Sequence, residues 1–389
     1  MKISPPPSSE ETDSNLTIGQ TDYTLGAVEE RTATVTFSAL DEWTLAVVYA
    51  DADADEWLSV SSENGPAGEQ TVELTARMNF GDTDRTARIE ITCGEQTAQV
   101  TVTQSISDET DFTDLFDPDF AKKLQSLGHI SDAGNITRDD MKKIAAVNDL
   151  NVSYETLTSL QGIAYFESLT SLICISNQLT ALDISQNTAL TQLSCYSNQL
   201  AELDVSKNTA LEVLDCYDNH LTALDVSKNT ALKFLYCFEN RLESLDVSQN
   251  TALTQLWCHT NQLTSLNVSD CTALTWLESY SNQLAELDVS GCTDLESLSC
   301  SGNSLTSLDV SQNMALTQLF CSSNQLKLLD VSKNTKLGQL DCKDNPGDGS
   351  TFPVTVWDDF DLDNIPSNFT KTAWEYEGKT ITPVYKKAE

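Results

Sequence analysis

The chain has 389 residues, enough for two or three domains of ordinary size with buried cores. Lysine and arginine total 22 against 59 aspartate and glutamate residues, so the formal net charge is −37. A surface of this sign repels phosphate backbones and anionic lipids, which argues against nucleic acid as a partner. Hydrophobic residues make up 40% of the chain, too many for a disordered protein. No apolar run reaches the roughly 20 residues of a membrane helix, so we expect a soluble, folded protein.

Residues 1–17 are predicted to be a flexible leader. The run Pro5-Pro6-Pro7 is followed by serines and glutamates, and the segment holds no apolar export signal. Two interpretations stay open at this point: a cytoplasmic protein, or an exported protein whose signal has been removed.

Residues 18–107 are predicted to form an Ig-like, antiparallel β-sandwich of about seven strands. Short runs such as 71–76, 87–91 and 98–104 alternate apolar and polar residues between Gly, Asn or Asp turns. Trp57 stands at a strand start and is interpreted as a core residue. The acidic run 51–56 lacks the glycine and the final glutamate of a calcium loop, so we expect no calcium there.

Four strings in this segment resemble a BACON domain, the Ig-like module of Bacteroidetes surface proteins. They are Trp57-Leu-Ser-Val60-Ser, Gly65-Pro-Ala-Gly68, Arg85-Thr-Ala-Arg-Ile89 and Val100-Thr-Val-Thr-Gln104. The resemblance implies a domain that either binds carbohydrate or acts as a spacer. Its aromatic residues are few, which favours the spacer.

Residues 108–146 are predicted to be a helical N-terminal cap. Two helical runs, 120–124 and 141–144, flank a loop around Gly134 that resembles a degenerate EF-hand. Calcium requires carboxylates at the first positions of such a loop, where this chain has His129, Ser131 and Ala133. The segment is therefore expected to cover the open edge of the next domain without binding a metal.

A string close to Leu-Asp-Val-Ser recurs eight times at a constant spacing of 21 residues. The copies start at Leu182, Leu203, Leu224, Leu245, Leu266, Leu287, Leu308 and Leu329. Each unit reads LxxLxCxxNxLxxLDVSxNTA. This period predicts a right-handed leucine-rich repeat solenoid over residues 147–346, with its short LxC strands in a parallel, concave sheet.

Three polar or sulfur columns run along the repeats. The asparagine column is Asn177, Asn198, Asn219, Asn240, Asn261, Asn282, Asn303, Asn324 and Asn345. It is expected to hydrogen-bond backbone groups at the turns. The aspartates of the tetrads, with Asn267 in one copy, are interpreted as turn caps and not as a metal ladder.

The cysteine column is Cys174, Cys195, Cys216, Cys237, Cys258, Cys300, Cys321 and Cys342, with Ser279 on the remaining rung. Stacked parallel side chains give poor disulfide dihedrals, so these are expected to be free, buried thiols. Cys271 and Cys292 replace asparagines in adjacent loops and are the one pair that could bridge.

The cysteine position and the phrase LDVSKNTAL resemble the cysteine-type repeats of bacterial surface proteins, including internalin-like proteins of Gram-positive bacteria and many Bacteroidetes proteins. The resemblance implies an extracellular or cell-surface location, as a lipoprotein or a secreted protein. After the last repeat, residues 347–389 are predicted to form a C-terminal cap, which a solenoid needs for solubility.

No catalytic motif is present. His129, His220 and His259 are the only histidines, and no nucleophile elbow, zinc-protease string or phosphate loop occurs. We expect no enzyme activity, no metal site and no cofactor.

The candidate ligand-binding residues are nine side chains that alternation places on the concave sheet. They are Tyr196, Tyr217, Phe234, Tyr236, Phe238, Trp257, His259, Trp276 and Tyr280. Equivalent positions on later rungs carry mostly serine, with Phe320 alone as an aromatic, so the fold does not require aromatics there. A structural alternative is that the rings only cover the sheet by stacking. Asp215, Asp218, Glu239 and Glu278 border the patch, which favours a partner with basic or hydroxyl-rich groups.

These features predict a non-enzymatic, monomeric recognition or adhesion protein of the bacterial surface, with a protein or glycan ligand on the concave face. The alternative is an accessory glycan-binding protein in which the BACON-like domain binds and the repeats are scaffold. Mutation of the concave aromatics separates the two, because glycan binding survives in the second case.

The repeat domain and its cap are expected to need no structural calcium. Thermal melts in calcium and in chelator should coincide, because the loop around Gly134 lacks the carboxylate ligands. A shift of several degrees that depends on residues 108–146 would contradict this.

Overall fold

The computed structural model describes residues 15–28, 30–49, 56–107 and 109–388. Most of the expected leader and most of the acidic run 51–56 lie outside the described residues. The chain divides into two compact units: the first ends at Phe112 and also takes residues 137–142, and the second holds the rest. In the part of the chain that is described, no helix is long and apolar enough to cross a membrane.

The first unit contains nine described strands, β1 to β9. In chain order they are Leu16–Ile18, Asp22–Leu25, Thr32–Ala39, Trp43–Tyr49, Leu58–Val60, Asn64–Gly65, Gly68–Ala76, Arg85–Cys93 and Gln96–Gln104. One sheet has the order β1-β3-β7-β5 and the other has the order β2-β9-β8-β4-β6. Buried side chains from both sheets, such as Val35, Val72, Ile89 and Val100, form one core.

The predicted sandwich is confirmed, but the expectation of about seven antiparallel strands is wrong in two respects. Nine strands are described, and β2 pairs with β9 in parallel. After β1 the chain crosses to the other sheet, where β2 lies beside β9 and runs in the same direction as β9. Trp57 is 3% exposed, which confirms it as a core residue, and the Arg85 guanidinium lies 4.7 Å from its ring centre.

Two α-helices form as predicted: α1, Pro118–Leu127, and α2, Arg138–Ala145. Two short 3₁₀ helices cover Thr113–Leu115 and Ile163–Tyr165. The Asp117 side chain caps α1 by accepting hydrogen bonds from the backbone N–H groups of Asp119 and Phe120. At α2, Asp140 Oδ2 accepts from the N–H and the hydroxyl of Thr137, so this buried carboxylate caps a helix.

Strands β10 to β22 belong to the repeats. In chain order they are Asp149–Asn151, Ser171–Ile173, Gln192–Ser194, Val213–Asp215, Phe234–Tyr236, Ser244–Asp246, Gln255–Trp257, Ser265–Asn267, Trp276–Glu278, Ser297–Ser299, Gln318–Phe320, Leu329–Asp330 and Gln339–Asp341. Ten of them form one parallel sheet in the order β10-β11-β12-β13-β14-β16-β18-β19-β20-β22. Strands β15 and β17 pair on the tetrad side.

The register of this sheet matches repeat position to repeat position. Leu193, Leu214, Leu235, Leu256 and Leu277 are successive partners, and all are fully buried. Each leucine is therefore covered by the same residue of the next coil, which is why no single repeat is stable alone. The predicted leucine-rich repeat solenoid is confirmed.

The asparagine column joins neighbouring coils. Asn240 Nδ2 donates to the carbonyls of Cys237 in its own coil and Cys216 in the preceding one, at 3.2 and 3.0 Å. Its Oδ1 accepts the N–H of Leu221 at 3.0 Å. The other ladder asparagines from Asn198 to Asn345 repeat this pattern, so each amide satisfies buried backbone groups of two coils.

The residue before each ladder asparagine has a left-handed backbone. Eight of these are not glycine: Ser176, Ser197, Asp218, Glu239, Thr260, Ser281, Ser323 and Asp344, with φ between 51° and 56°. The ninth is Gly302, with φ of 64°. Such a conformation costs about 1–2 kcal/mol for a residue with a Cβ. The side-chain amide of the asparagine that follows offsets this cost, because its hydrogen bonds stabilise the turn.

The tetrad aspartates are turn caps, as predicted. Each accepts the N–H of the serine two residues later, as in Asp225 Oδ1 to Ser227 at 2.9 Å. These hydrogen bonds lower the pKa of the Asp225 carboxyl. Asn267 accepts from Ser269 in the same way at 3.2 Å, which explains why an amide replaces the carboxylate without loss of the turn.

All eleven cysteines are free and buried. Cys271 Sγ donates to the Val247 carbonyl at 3.3 Å and Cys292 Sγ donates to the Val268 carbonyl at 3.4 Å. Asparagines in the equivalent loops, such as Asn229, donate to the same backbone position. The two thiols therefore replace an amide donor, and the pair does not form a bridge.

Beyond the last repeat, β23, β24 and β25 cover Thr351–Val356, Trp374–Tyr376 and Lys379–Lys387. They form a sheet in the order β21-β23-β25-β24. The Cys342 N–H donates to Thr370 Oγ1 at 3.1 Å, and Trp374 Nε1 donates to the Asn345 carbonyl at 2.9 Å. The segment thus satisfies backbone groups of the last coil.

The ladder thiols are expected to resist alkylation in the native protein. Burial raises the pKa of Cys174, Cys237 and Cys300 to about 12, which disfavours the reactive thiolate. Thiol counting on protein unfolded without reductant should then expose at least the eight ladder thiols. Bridged cysteines in that assay would contradict the structure.

Candidate ligand-binding face

The solvent-facing side of the ten-stranded sheet has three columns, set by position in the LxC strand. We name them the pre-leucine, middle and post-cysteine columns. The aromatic members are Phe234 and Trp276 in the pre-leucine column, Tyr236 and Trp257 in the middle column, and Tyr196, Tyr217, Phe238, His259 and Tyr280 in the post-cysteine column. A tenth ring, Phe320, stands alone in the middle column two rungs further on. All nine predicted residues therefore lie on one face, over five consecutive rungs.

The post-cysteine column is one continuous stack of rings. Successive centroids from Tyr196 to Tyr280 are 4.1, 4.2, 4.4 and 4.2 Å apart, with interplanar angles of 8° to 19°. Strands lie about 4.8 Å apart, so in-register rings fall at stacking distance.

The rings of the stack are half-buried except for one, which is buried. Each inner ring is covered on both faces by its neighbours, and His259 is 7% exposed. The stack thus presents ring edges to solvent. The stacking that the structural alternative invokes is present in this column.

The middle column extends the cluster. Tyr236 and Trp257 have centroids 4.6 Å apart with an interplanar angle of 51°, and Trp257 lies 6.3 Å from Phe238. Phe234 lies 6.4 Å from Tyr236. The Tyr236 hydroxyl donates to Gln255 Oε1 at 2.9 Å, whereas the buried Nε1 of Trp257 has no hydrogen-bond partner.

Trp276 differs from the other eight residues. It is 36% exposed and its Nε1 donates to Glu278 Oε1 at 2.9 Å. It is the exposed ring of the set and stands at the border of the cluster.

His259 acts as an uncharged ring of the stack. Burial lowers its pKa to about 4, so the imidazole is neutral at pH 7. Its Nε2 lies 3.9 Å from Glu278 Oε2, a contact that becomes an ion pair only when the ring is protonated. Its Nδ1 lies 3.1 Å from Thr260 Oγ1.

Asp215 lies inside the aromatic cluster and not only at its border. The register puts it in the middle column between Ser194 and Tyr236. Its Oδ1 is buried without a hydrogen-bond partner, and its Oδ2 meets the Ser194 hydroxyl at a long 3.5 Å. Burial raises the pKa of this carboxyl to about 6, against the opposing effect of that hydroxyl.

The outer face of the sheet carries more negative than positive charge. Asp215, Glu278 and Asp341 stand in the middle column, and Lys343 is the one lysine or arginine in the three columns between 149 and 343. Among the described residues, no group of three or more His, Cys, Asp or Glu side chains is placed to hold a metal ion.

The rungs after Tyr280 keep the same register but carry serine, glutamine and charged side chains, with Phe320 as the one ring. Ser297, Ser299 and Ser301 occupy the three columns on the next rung, and Ser301 and Ser322 hydroxyls lie 3.0 Å apart. The backbone pairing does not change where the aromatics end. The ladder therefore forms with or without rings on this face.

Comparison with known proteins agrees with both units. A family model described as the viral BACON domain matches residues 15–107. The functional domain of InlJ from Listeria monocytogenes, which includes a cysteine ladder, is 40% identical with a TM-score of 0.57. That match covers 63% of this chain and 56% of that one, so the chain spans little more than half of the InlJ structure.

Two further structures share only the general architecture. The internalin InlF of Listeria monocytogenes is 21% identical with a TM-score of 0.44, covering 64% of this chain and 87% of that chain. YopM of Yersinia pestis is 24% identical with a TM-score of 0.44, covering 57% and 60%. No curated protein matches the chain by sequence. The BACON and cysteine-type repeat resemblances are confirmed; the Bacteroidetes and lipoprotein assignments stay predictions.

Asp215→Asn is expected to stabilise the folded chain at pH 7.5. The carboxyl pKa is about 6 in the fold against a reference of 3.8, so the ionised form opposes folding above pH 6. This penalty disappears as the pH falls from 6 towards 4, because the folded state then binds the proton first. Partial solvent exposure limits the gain at pH 7.5 to about 1–2 kcal/mol.

Urea unfolding at pH 7.5 and pH 4.5 measures this effect. Asp225→Asn is the matched control, because it removes one charge from the same coil at a position where the next-but-one repeat has Asn267. The control should change the free energy of unfolding by less than about 0.5 kcal/mol. A less stable Asp215→Asn protein at pH 7.5 would show that the carboxylate is satisfied in the fold.

Proposed function

We propose that this protein is a non-enzymatic recognition protein of the bacterial cell surface, and that its solenoid binds a protein or glycan ligand through the aromatic face. The observation that carries the proposal is that nine of the ten aromatic side chains in the three columns lie on five consecutive rungs. Serines fill the same columns on the next rung without any change of strand pairing.

The half-buried stack does not weaken this proposal. Ring edges and the exposed Trp276 remain available, and rigid aromatic side chains lose little conformational entropy when they bind. Stacking along the column also holds the rings in place before a ligand arrives, which lowers the cost of ordering them on binding.

The modules found support a surface role. Internalin-like repeats and BACON domains are typical of surface or secreted proteins and are typically non-catalytic binding modules. The cysteine ladder links the solenoid to the InlJ type of repeat. These similarities support our proposal that this chain acts in recognition or adhesion at the cell surface.

The alternative, glycan binding by the N-terminal sandwich, has less support. Trp43 and Trp57 are each 3% exposed, and Tyr23 and Tyr49 pack against the same core. The Tyr49 hydroxyl is engaged by the Leu58 backbone at 3.0 Å. The tryptophans and tyrosines described in the sandwich therefore pack in or against its core. Glycan binding through exposed aromatic rings would need other residues.

A screen of the full chain against glycan and host-protein arrays identifies a ligand for the test. Trp257→Ala and Tyr236→Ala should then each weaken binding by about 1–3 kcal/mol, the range for central aromatic anchors. The measurement is a dissociation constant by calorimetry, with the free energy of unfolding determined in parallel because both rings contact neighbours.

Ser299→Ala is the matched control in the middle column, two rungs beyond Trp257, and should leave the affinity unchanged. If the double variant Tyr236→Ala/Trp257→Ala folds and binds like the wild type, the site lies elsewhere, with the N-terminal sandwich as the next place to test.

A further inference from the structure

One charged side chain stands inside the aromatic cluster without a counter-charge. Asp215 pairs in register with Ser194 on β12 and Tyr236 on β14. The residue is half-buried, its Oδ1 is fully covered and unpartnered, and its one hydrogen bond is the 3.5 Å contact of Oδ2 with Ser194. A carboxylate in this state is costly, because burial removes water that no protein donor replaces.

The fold does not require a carboxylate at this position. The middle column carries serine at Ser194 and Ser299 with the same strand pairing. A destabilising group that the architecture does not need is typical of a binding surface, where stability is given up for function.

The groups around Asp215 supply no cation. Its register partners are Ser194 on β12 and Tyr236 on β14, with Tyr196 and Phe234 on the same two rungs, and Tyr217 and Asp218 follow it on its own coil. The thiols of Cys195 and Cys216 lie beneath the sheet near it. Lys233, on the next coil, is paired with Glu212 at 2.8 Å. A positive charge for Asp215 must therefore come from another molecule.

We propose that Asp215 is the anchor for a lysine or arginine side chain of a protein partner, whose apolar stem lies against the edges of the neighbouring rings. This rests on the proposed function and specifies its ligand. A long cationic side chain has the required shape, since its methylene groups suit an apolar surface while its head pairs with the carboxylate.

Charge favours a basic polypeptide over a neutral sugar. The face is acidic and the chain carries a net charge of −37, which speeds association with a basic partner. A peptide with lysine or arginine offers the cation for Asp215, which a neutral sugar lacks.

The test uses a phage-displayed library of random 12-residue peptides, panned on the immobilised full chain at pH 7.5. Enriched peptides should contain lysine or arginine, and their binding should be lost in Tyr236→Ala. One lysine-containing peptide is then synthesised with its norleucine analogue. Asp215→Asn should weaken the lysine peptide at least tenfold, while the norleucine analogue should bind wild type and variant equally.

Asp225→Asn is the control for net charge and should keep the affinity within twofold. A pH series adds an independent readout. Because the carboxyl pKa is about 6, wild-type affinity for the lysine peptide should fall between pH 7.5 and pH 5, and Asp215→Asn should show no such fall.

The possible failures are distinguishable. Peptides that need Tyr236 but show no preference for lysine or arginine, or no loss in Asp215→Asn, overturn the cationic anchor and leave the proposed function standing. Binding of cationic amino-sugar oligomers in place of peptides overturns the protein partner. If no peptide binds in a way that depends on Tyr236, the cationic anchor is wrong, and the proposed function is decided separately by the glycan and host-protein arrays.

Discussion

The ladder of asparagine side chains is the interaction on which the solenoid depends. Each amide donates to carbonyls of two neighbouring coils and accepts an N–H from the preceding one, as Asn240 does with Cys237, Cys216 and Leu221. The strands are three residues long, so their own pairing satisfies few backbone groups. Without the amides, buried N–H and carbonyl groups at every turn would be unsatisfied, at a cost of about 1–3 kcal/mol for each. The same amides hold eight non-glycine residues in a left-handed conformation.

A fixed register has direct consequences for the outer face of the sheet. Because every coil repeats the same geometry, a side chain in one column meets the equivalent side chain of the next coil at about the strand spacing of 4.8 Å. Aromatic residues in consecutive repeats therefore stack, as Tyr196, Tyr217 and Phe238 do. Similar residues at equivalent positions of consecutive repeats therefore form one continuous surface. A dissimilar residue such as Asp215 lies between neighbours that carry no positive charge.

Stability and recognition make opposite demands on this face. The leucine and cysteine positions are fully buried along the ladder, with Ser279 on one cysteine rung, and the functional domain of InlJ also includes a cysteine ladder. The outer columns vary from ring to carboxylate to serine with no change in strand pairing. Function can therefore change in the outer columns while the interior stays constant, and groups that weaken the fold, such as the unpaired Asp215 carboxylate, are tolerated where a partner can satisfy them.

The sequence by itself determined the period, the inward leucines and cysteines, the capping role of the asparagine and aspartate columns, and the nine aromatic residues of one face. It could do so because repetition and the two-residue alternation of strands are local patterns. The parallel entry of β2 beside β9, the burial of His259 within the stack and the unpaired state of Asp215 were decided only by the tertiary structure. Each of these depends on which side chains of other strands lie alongside a residue. The covering of a ring or the pairing of a carboxylate is a property of neighbouring coils, so a residue's own position in the repeat does not reveal it.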